Sequence, residues 1–474
     1  MSNMKHYFIL VLCIGMSLKI AAQNKEDVER ARLIAVSQAG ASPLYFNPAD
    51  STVPLIAPGN FNNPAECTVR NGAPHFFKKV SSGKPVTIGF IGGSITQGNQ
   101  CYRPQATRYI QSLYPSVTMK GINAGVSGTG TDLGACRLRD QLLQYHPDLV
   151  FVEFAVNGAY TDGMEGIVRQ IRQYDPTIDI CLIYTIHNGH MKTYLDGNIP
   201  ENVQGLEKIA EHYQLPSIHL GMEIAVLEKE GKLEWKSDSA TVPGKIVFSH
   251  DGIHPVTAGG NLYAAAIARG MNKLKQHTVI SSGALPAPLI ANNWEDAGMY
   301  APQDIATFSP GWSSVNTANS PRKQFTGWFP YIMKADQPGA SFTFRFKGSM
   351  FGFFDIGGPE MGQVELIIDG KPATLADGGV KGARQLKVVP ATDPNGSNVI
   401  NRFNNFCNNR YRGQYEFITL TPGIHTITIR VSSEKADKMK ILGDKQLEDI
   451  TRNPAKYDKT VVYIGKILLR GKPL

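Results

Sequence analysis

Four short stretches carry side chains that could do chemistry together. They are Gly92-Gly93-Ser94-Ile95-Thr96, Asn123-Ala124-Gly125-Val126-Ser127-Gly128-Thr129-Gly130, Glu153-Phe154-Ala155-Val156-Asn157-Gly158 and Asp251-Gly252-Ile253-His254-Pro255. A serine hydroxyl is a weak nucleophile until a base takes its proton, and His254 is a suitable base for Ser94. Asp251, three residues earlier, can hold the other ring nitrogen and stabilise the imidazolium. Attack on a carbonyl builds an oxyanion, which needs donors aimed at it. The backbone N–H groups of Ser94 and Gly128 and the side-chain amide of Asn157 are candidates. The chemistry that fits this set is acyl transfer from an ester to water.

Such side chains act together only if the fold brings them to one place. Val86–Gly92 is apolar on both of its alternating faces, which suits a strand buried on both sides of a parallel sheet. The glycines that follow allow a sharp turn and close approach of other atoms. Further strands are expected at Val117–Ile122, Leu149–Phe154, Ile178–Ile186 and Leu215–His219, and helices at Thr131–Tyr145 and Ala258–Leu274. Alternation of strands and helices over residues 84–277 argues a parallel sheet with helices on both faces. The four stretches then fall at strand ends or lead into helices, where open α/β sheets hold their ligands.

The blocks resemble those of the SGNH, or GDSL-type, hydrolases over about Val86 to Ala268. Ser94, Gly128, Asn157 and His254 match in order the Ser, Gly, Asn and His that name the family, and Asp251 matches its paired aspartate. Two positions depart from the pattern, with Gly93 and Gly158 where the family usually has aspartates. The resemblance implies a three-layer, flavodoxin-like α/β domain and a serine esterase mechanism that uses no metal and no cofactor. Many esterases of this type with added β-sandwiches act on decorated polysaccharides. The resemblance therefore implies removal of O-acetyl groups from a carbohydrate. Two alternatives stand beside it: a non-catalytic carbohydrate-binding protein on a hydrolase scaffold, and a lipid or thioester acyl hydrolase. The complete Ser-His-Asp set argues against the first. The lack of a long apolar lid between the blocks argues against lipids.

The rest of the 474-residue chain frames this centre. Residues 1–22 have the layout of a signal peptide, with Lys5, a short apolar run and a small-residue exit, so export to the periplasm, outer surface or medium is expected. Residues 23–83 read as an irregular Pro- and Asn-rich lead-in with one amphipathic piece at 26–38. An SGNH-like domain is expected over 84–280 and a linker over 281–294. Strict alternation at Ser341–Phe346 and His425–Val431, with turn signals at Asp369-Gly370 and Thr421-Pro422-Gly423, predicts an antiparallel, jelly-roll-like β-sandwich over 295–474. No later stretch is long and apolar enough to span a membrane. The formal charge of +8 comes from scattered Lys and Arg, which disfavours nucleic acid and permits an acidic polysaccharide. Cys67, Cys101, Cys136, Cys181 and Cys407 show no CxxC, hence no zinc site; export would permit one disulfide, of unassigned pairing. His187 and His190 lack a carboxylate or cysteine partner in register, so no metal is expected there, and His187 is a candidate substrate contact. Trp312, Trp328 and the Phe403–Tyr411 loop are candidates for stacking on sugar rings.

Overall fold

The computed structural model describes residues 45–277 and 284–474. The expected signal peptide, the piece at 26–38 and the start of the linker lie outside the described residues. A seven-stranded sheet contains β1 (Tyr45–Phe46), β2 (Cys67–Thr68), β3 (Val86–Gly92), β4 (Met119–Gly125), β5 (Leu149–Glu153), β6 (Asp179–Tyr184) and β7 (Ser217–His219). The spatial order is β1-β4-β3-β5-β6-β7-β2. Strands β3 to β7 are parallel, in the flavodoxin-like order second-first-third-fourth-fifth. Ile88 and Phe90 of β3 face one hydrophobic layer and Ile91 the other, which accounts for the unbroken apolar run.

Helices cover both faces: α1 (Pro74–Ser81), α2 (Ser94–Gln97), α3 (Arg103–Leu113), α4 (Thr131–Gln141), α5 (Thr161–Tyr174), α6 (Met191–Leu195), α7 (Glu201–His212), α8 (Met222–Lys229) and α9 (Thr257–Leu274). The helix expected to reach Tyr145 stops at Gln141, because Leu142 leaves helical geometry at φ −137° and ψ −58°. The lead-in is less irregular than its composition suggests. It supplies α1 and both antiparallel sheet edges, Tyr45 opposite Ile122 and Cys67 opposite Ile218. Two-residue strands carry no periodicity of their own and exist only through their partners.

The C-terminal part is a β-sandwich. The long strand Ser341–Gly357 lies between Arg412–Val431 and Lys466–Pro473, all antiparallel. A three-stranded sheet of Trp312–Asn316, Tyr331–Ala335 and Val462–Ile464 packs against this sheet. Phe342, Phe344, Phe351 and Phe353 share one core with Ala335, Val462 and Ile464. Asp369 and Gly370, at φ 52° and 80°, make a two-residue hairpin that pairs Ile368 with Lys371. Thr421-Pro422-Gly423, in contrast, makes no hairpin. Pairing with Ser341–Gly357 jumps from Thr419 to Gly423, so this segment is a bulge in a continuous strand. Short helices at Lys438–Leu442, Glu448–Arg452 and Pro454–Tyr457 interrupt the all-β pattern.

The two parts share a core. Leu133, Phe154 and Ile167 cluster with Trp294, Phe354, Tyr415 and Phe417. Trp294 Nε1 donates to Asp162 at 2.8 Å, and the N–H groups of Leu289 and Ile290 donate to Glu165 at 2.5 and 2.7 Å. Tyr415 donates to buried Asp132 at 3.3 Å, and Lys466 pairs with Asp140 at 3.2 Å. The segment from residue 284 to 294 is thus seated on α5. The five described cysteines are all buried and unpaired.

Candidate active site

Ser94 opens α2 directly after β3, next to the point where the connections leave the sheet in opposite directions. The turn is tight: a Cβ on Gly92 would lie 2.2 Å from Thr96 Oγ1 and 2.5 Å from the Glu153 carbonyl oxygen. His254 arrives from 160 residues away, on the loop before α9, and its Nε2 lies 2.7 Å from Ser94 Oγ. Its Nδ1 lies 2.6 Å from Asp251 Oδ2. The three residues therefore form one continuous chain of hydrogen bonds. All three are partly accessible to solvent.

The loop that carries the acid and base is fixed locally. Asp251 Oδ1 accepts the backbone N–H groups of Ile253 and His254, each at 2.8 Å. Ser249 Oγ accepts from Gly252 N–H at 2.9 Å, and Trp235 Nε1 donates to the Gly252 carbonyl at 3.1 Å. Burial alone would raise the Asp251 pKa. The hydrogen bonds from His254 and the two backbone N–H groups, with the nearby imidazole, outweigh it and hold the carboxyl well below the usual carboxylate range. Asp251 is therefore an anion wherever the imidazole must become a cation.

The other two blocks meet the serine turn. Asn157 leaves β5 so that its Nδ2 would lie 3.5 Å from a Cβ on Gly93, beside the nucleophile. Gly128 is exposed at φ +71°, in a left-handed turn three residues past the end of β4, at the same edge of the sheet. Gly158 has φ +55°, and a Cβ there would lie 2.5 Å from Gly130 Cα. The Thr131 N–H to Gly158 carbonyl bond of 2.9 Å ties these two turns together. Glycine at 158, a departure from the usual family pattern, thus has a local steric cause. Gly93 does not: φ is −84° and nothing lies within 3.5 Å of its Cβ position.

Glu153 belongs to the support of this turn. Its buried carboxylate accepts from Thr96 Oγ1 at 2.9 Å and Thr185 Oγ1 at 2.7 Å, and from the Gly93 and Thr96 N–H groups. Arg137 was not visible as a functional residue in the sequence, because an arginine at helical spacing reads as surface. It is fully buried and donates to the Ala124 carbonyl and, at 2.8 Å, to the Gly92 carbonyl, joining the ends of β3 and β4.

The histidine pair lies past β6. His187 Nδ1 accepts from the Gly189 N–H at 3.0 Å, and its ring centroid is 3.6 Å from that of His190. Burial, then repulsion from His187, brings the His190 pKa down to about 4. Among the described residues no hydrogen bond joins either histidine to Ser94, Asp251 or His254. No cluster of three or more potential metal ligands occurs among the described residues. Of the aromatics expected on the surface, Trp328 and Phe403 are buried, half-buried Trp312 packs on Phe308 and Phe342, and half-buried Tyr411 donates to Glu360. Phe406 is 46% exposed.

The parallel sheet and its flanking helices have the fold expected of an SGNH-type hydrolase domain. Residues 90–262 match the GDSL-like lipase/acylhydrolase family. The chain is similar over 85% of its length to a two-domain esterase active on acetylated mannans, solved with mannopentaose. That match covers 96% of the other chain at 20% identity with a TM-score of 0.59. A second crystal structure of this two-domain esterase gives the same identity and TM-score. The acetylxylan esterase of Geobacillus stearothermophilus matches over 39% of this chain and 94% of its own, at 21% identity and a TM-score of 0.30. No curated protein matches the chain. No helix among the described residues is long and apolar enough to cross a membrane.

Proposed function

We propose that this protein is an exported serine esterase that hydrolyses O-acetyl groups on a carbohydrate. The observation that carries the proposal is the unbroken chain from Ser94 Oγ to His254 Nε2 and from His254 Nδ1 to Asp251, at 2.7 and 2.6 Å. Ser94 Oγ attacks the acetyl carbonyl carbon while its proton passes to His254 Nε2. Asp251 holds the imidazolium, and the N–H groups of Ser94 and Gly128 with Asn157 Nδ2 receive the oxyanion. Collapse breaks the bond to the sugar oxygen, which takes the proton from His254, and leaves acetyl-Ser94. Water, deprotonated by His254, then attacks the acetyl group, releasing acetate and restoring the serine.

The carbohydrate part of the reading draws on the shared two-domain arrangement with an esterase active on acetylated mannans. The division into a catalytic domain over 84–280, a connecting segment over 281–294 and an accessory β-sandwich over 295–474 is part of the same proposal, as is His187 as a substrate contact. Acetate release from acetylated mannan and from p-nitrophenyl acetate tests it. Ser94→Ala should lower both by at least about a thousandfold with unchanged circular dichroism. Near-parental turnover in that variant, or no acetate release from the parent protein, rejects the proposal.

A further inference from the structure

The sandwich reaches the catalytic edge through Arg412. Arg412 stands at the start of the long strand Arg412–Val431, and its Nη2 would lie 3.4 Å from a Cβ on Gly128. Gly128 is exposed and offers one of the candidate oxyanion donors, so the guanidinium stands at the catalytic edge. Among the described residues, Arg412 makes no ion pair and only one side-chain hydrogen bond, a long one of 3.3 Å from Nε to the Gly413 carbonyl. Neither terminal nitrogen has an acceptor among the described residues. Two fully buried arginines nearby do have partners: Arg402 holds Asp355 and Glu416, and Arg137 holds two carbonyls.

Two more cations stand behind it. Arg384, over the Tyr415 ring at 5.6 Å, forms no ion pair among the described residues, and Arg410 donates to the Phe406 carbonyl at 2.5 Å. Burial and then repulsion from Arg384 and Arg410 bring the Arg412 pKa down to about 10, so the charge is retained at neutral pH but is held at a cost. Exposed Phe406 flanks Arg412 at 4.8 Å and provides an apolar face beside the guanidinium. Nearby loop 378–384 also meets the catalytic part, since a Cβ on Gly382 would lie 3.6 Å from the Tyr160 hydroxyl. A cluster of arginines with no carboxylate partner among the described residues, set at the catalytic edge, is complementary to a negative charge, and a planar guanidinium suits a carboxylate or sulfate.

We propose that Arg412, backed by Arg384 and Arg410, is the specificity residue of this crevice and binds an anionic group on a sugar close to the acetylated one, so that the substrate is an acetylated acidic glycan. This rests on the esterase reading above and narrows its substrate. The anion is a uronate carboxylate or a sulfate ester, which present the same chemistry to a guanidinium.

Matched substrates test it: acetylated polygalacturonan with free carboxylates, the same polymer after methyl esterification, and an acetylated sulfated galactan. At low ionic strength the protein should favour an anionic polymer over the neutral one by about tenfold or more in kcat/KM, as expected for a charge-assisted contact. Added salt should erode that ratio. Arg412→Gln should bring it close to one, and Arg412→Lys should restore part of it, which a merely structural role would not do. If Arg412→Gln does not fold, Arg384→Gln and the salt series on the parent protein carry the same reading. Preference for the galacturonan assigns a carboxylate, and preference for the sulfated galactan a sulfate. Equal or better turnover of the neutral polymer, or a preference indifferent to salt and to Arg412→Gln, overturns the proposal. Binding of unacetylated trigalacturonate, followed by calorimetry, separates this from failure of the esterase reading. If that binding is lost in Arg412→Gln while no acetate is released from any substrate, the anion site stands and the esterase reading falls.

Discussion

Replacing Gly158 by aspartate, the residue usual at this point in SGNH hydrolases, should damage this protein rather than restore a consensus. The added Cβ would lie 2.5 Å from Gly130 Cα and 3.1 Å from the Tyr160 ring, against a comfortable carbon–carbon separation of about 3.5–4.0 Å. Gly130 cannot swing aside cheaply, because it is backbone and the Thr131 N–H to Gly158 carbonyl bond of 2.9 Å fixes the spacing of the two turns. Overpacking of this kind costs about 1–3 kcal/mol. Gly158→Ala adds about 1–2 kcal/mol for a left-handed residue with a Cβ at φ +55°, whereas aspartate tolerates that region better. A loss of about 2–5 kcal/mol is expected for alanine and slightly less for aspartate. If the turns part to relieve the overlap, Asn157 moves with them. A displaced oxyanion donor lowers kcat by about 10²–10³. Urea denaturation measures the first effect, and p-nitrophenyl acetate turnover the second. Gly93→Ala is the internal control, since its Cβ position has no neighbour closer than 3.5 Å and φ is −84°, so stability should change by less than about 1 kcal/mol. Gly158→Asp with stability within about 0.5 kcal/mol of the parent and unaltered kcat would refute the steric argument.

Asp251→Asn should keep the loop through its remaining oxygen but hold the wrong imidazole tautomer, lowering kcat by about 10⁴; a loss below tenfold would show that Asp251 does not orient His254. Burial lifts the Asp132 pKa from 3.8 to about 6, so its proton is bound more tightly in the folded chain than in the unfolded one. Its contribution to stability is full below about pH 4 and is lost as pH rises through about 6, by about 3 kcal/mol. Denaturation of Asp132→Asn across pH 4 to 7 should lack that decline, and an identical pH dependence in both proteins would contradict it. A chain ending at residue 277 would uncover Leu133, Phe154 and Ile167, which share a core with Trp294 and Phe417. It should aggregate or bind a hydrophobic dye, whereas a soluble fragment with cooperative unfolding would show that the sandwich is dispensable for the catalytic fold.

Much of the centre was legible from the sequence because its parts are local. A buried parallel strand must be apolar on both faces, so Val86–Gly92 stood out, and glycine-serine turns and Asp-x-x-His are short-range chemistry that survives without a fold. The hairpin at Asp369-Gly370 was legible for the same reason. What failed was whatever depends on a distant partner. Tyr45–Phe46 and Cys67–Thr68 are strands only because β4 and β7 present open edges to them. Thr421-Pro422-Gly423 has turn composition, yet the neighbouring strand holds it in line as a bulge. The aromatic residues Trp328 and Phe403 looked exposed in a polar sequence, and packing buries them. Arg137 and Arg412 carry the same side chain and read alike in the sequence. Tertiary structure gives the first a set of carbonyl acceptors, and places the terminal nitrogens of the second beside Gly128 with no acceptor among the described residues. Sequence types specify which chemistry a chain can offer; which groups are paired, buried or free is fixed only when distant segments meet, because desolvation and hydrogen-bond satisfaction are properties of the packed whole.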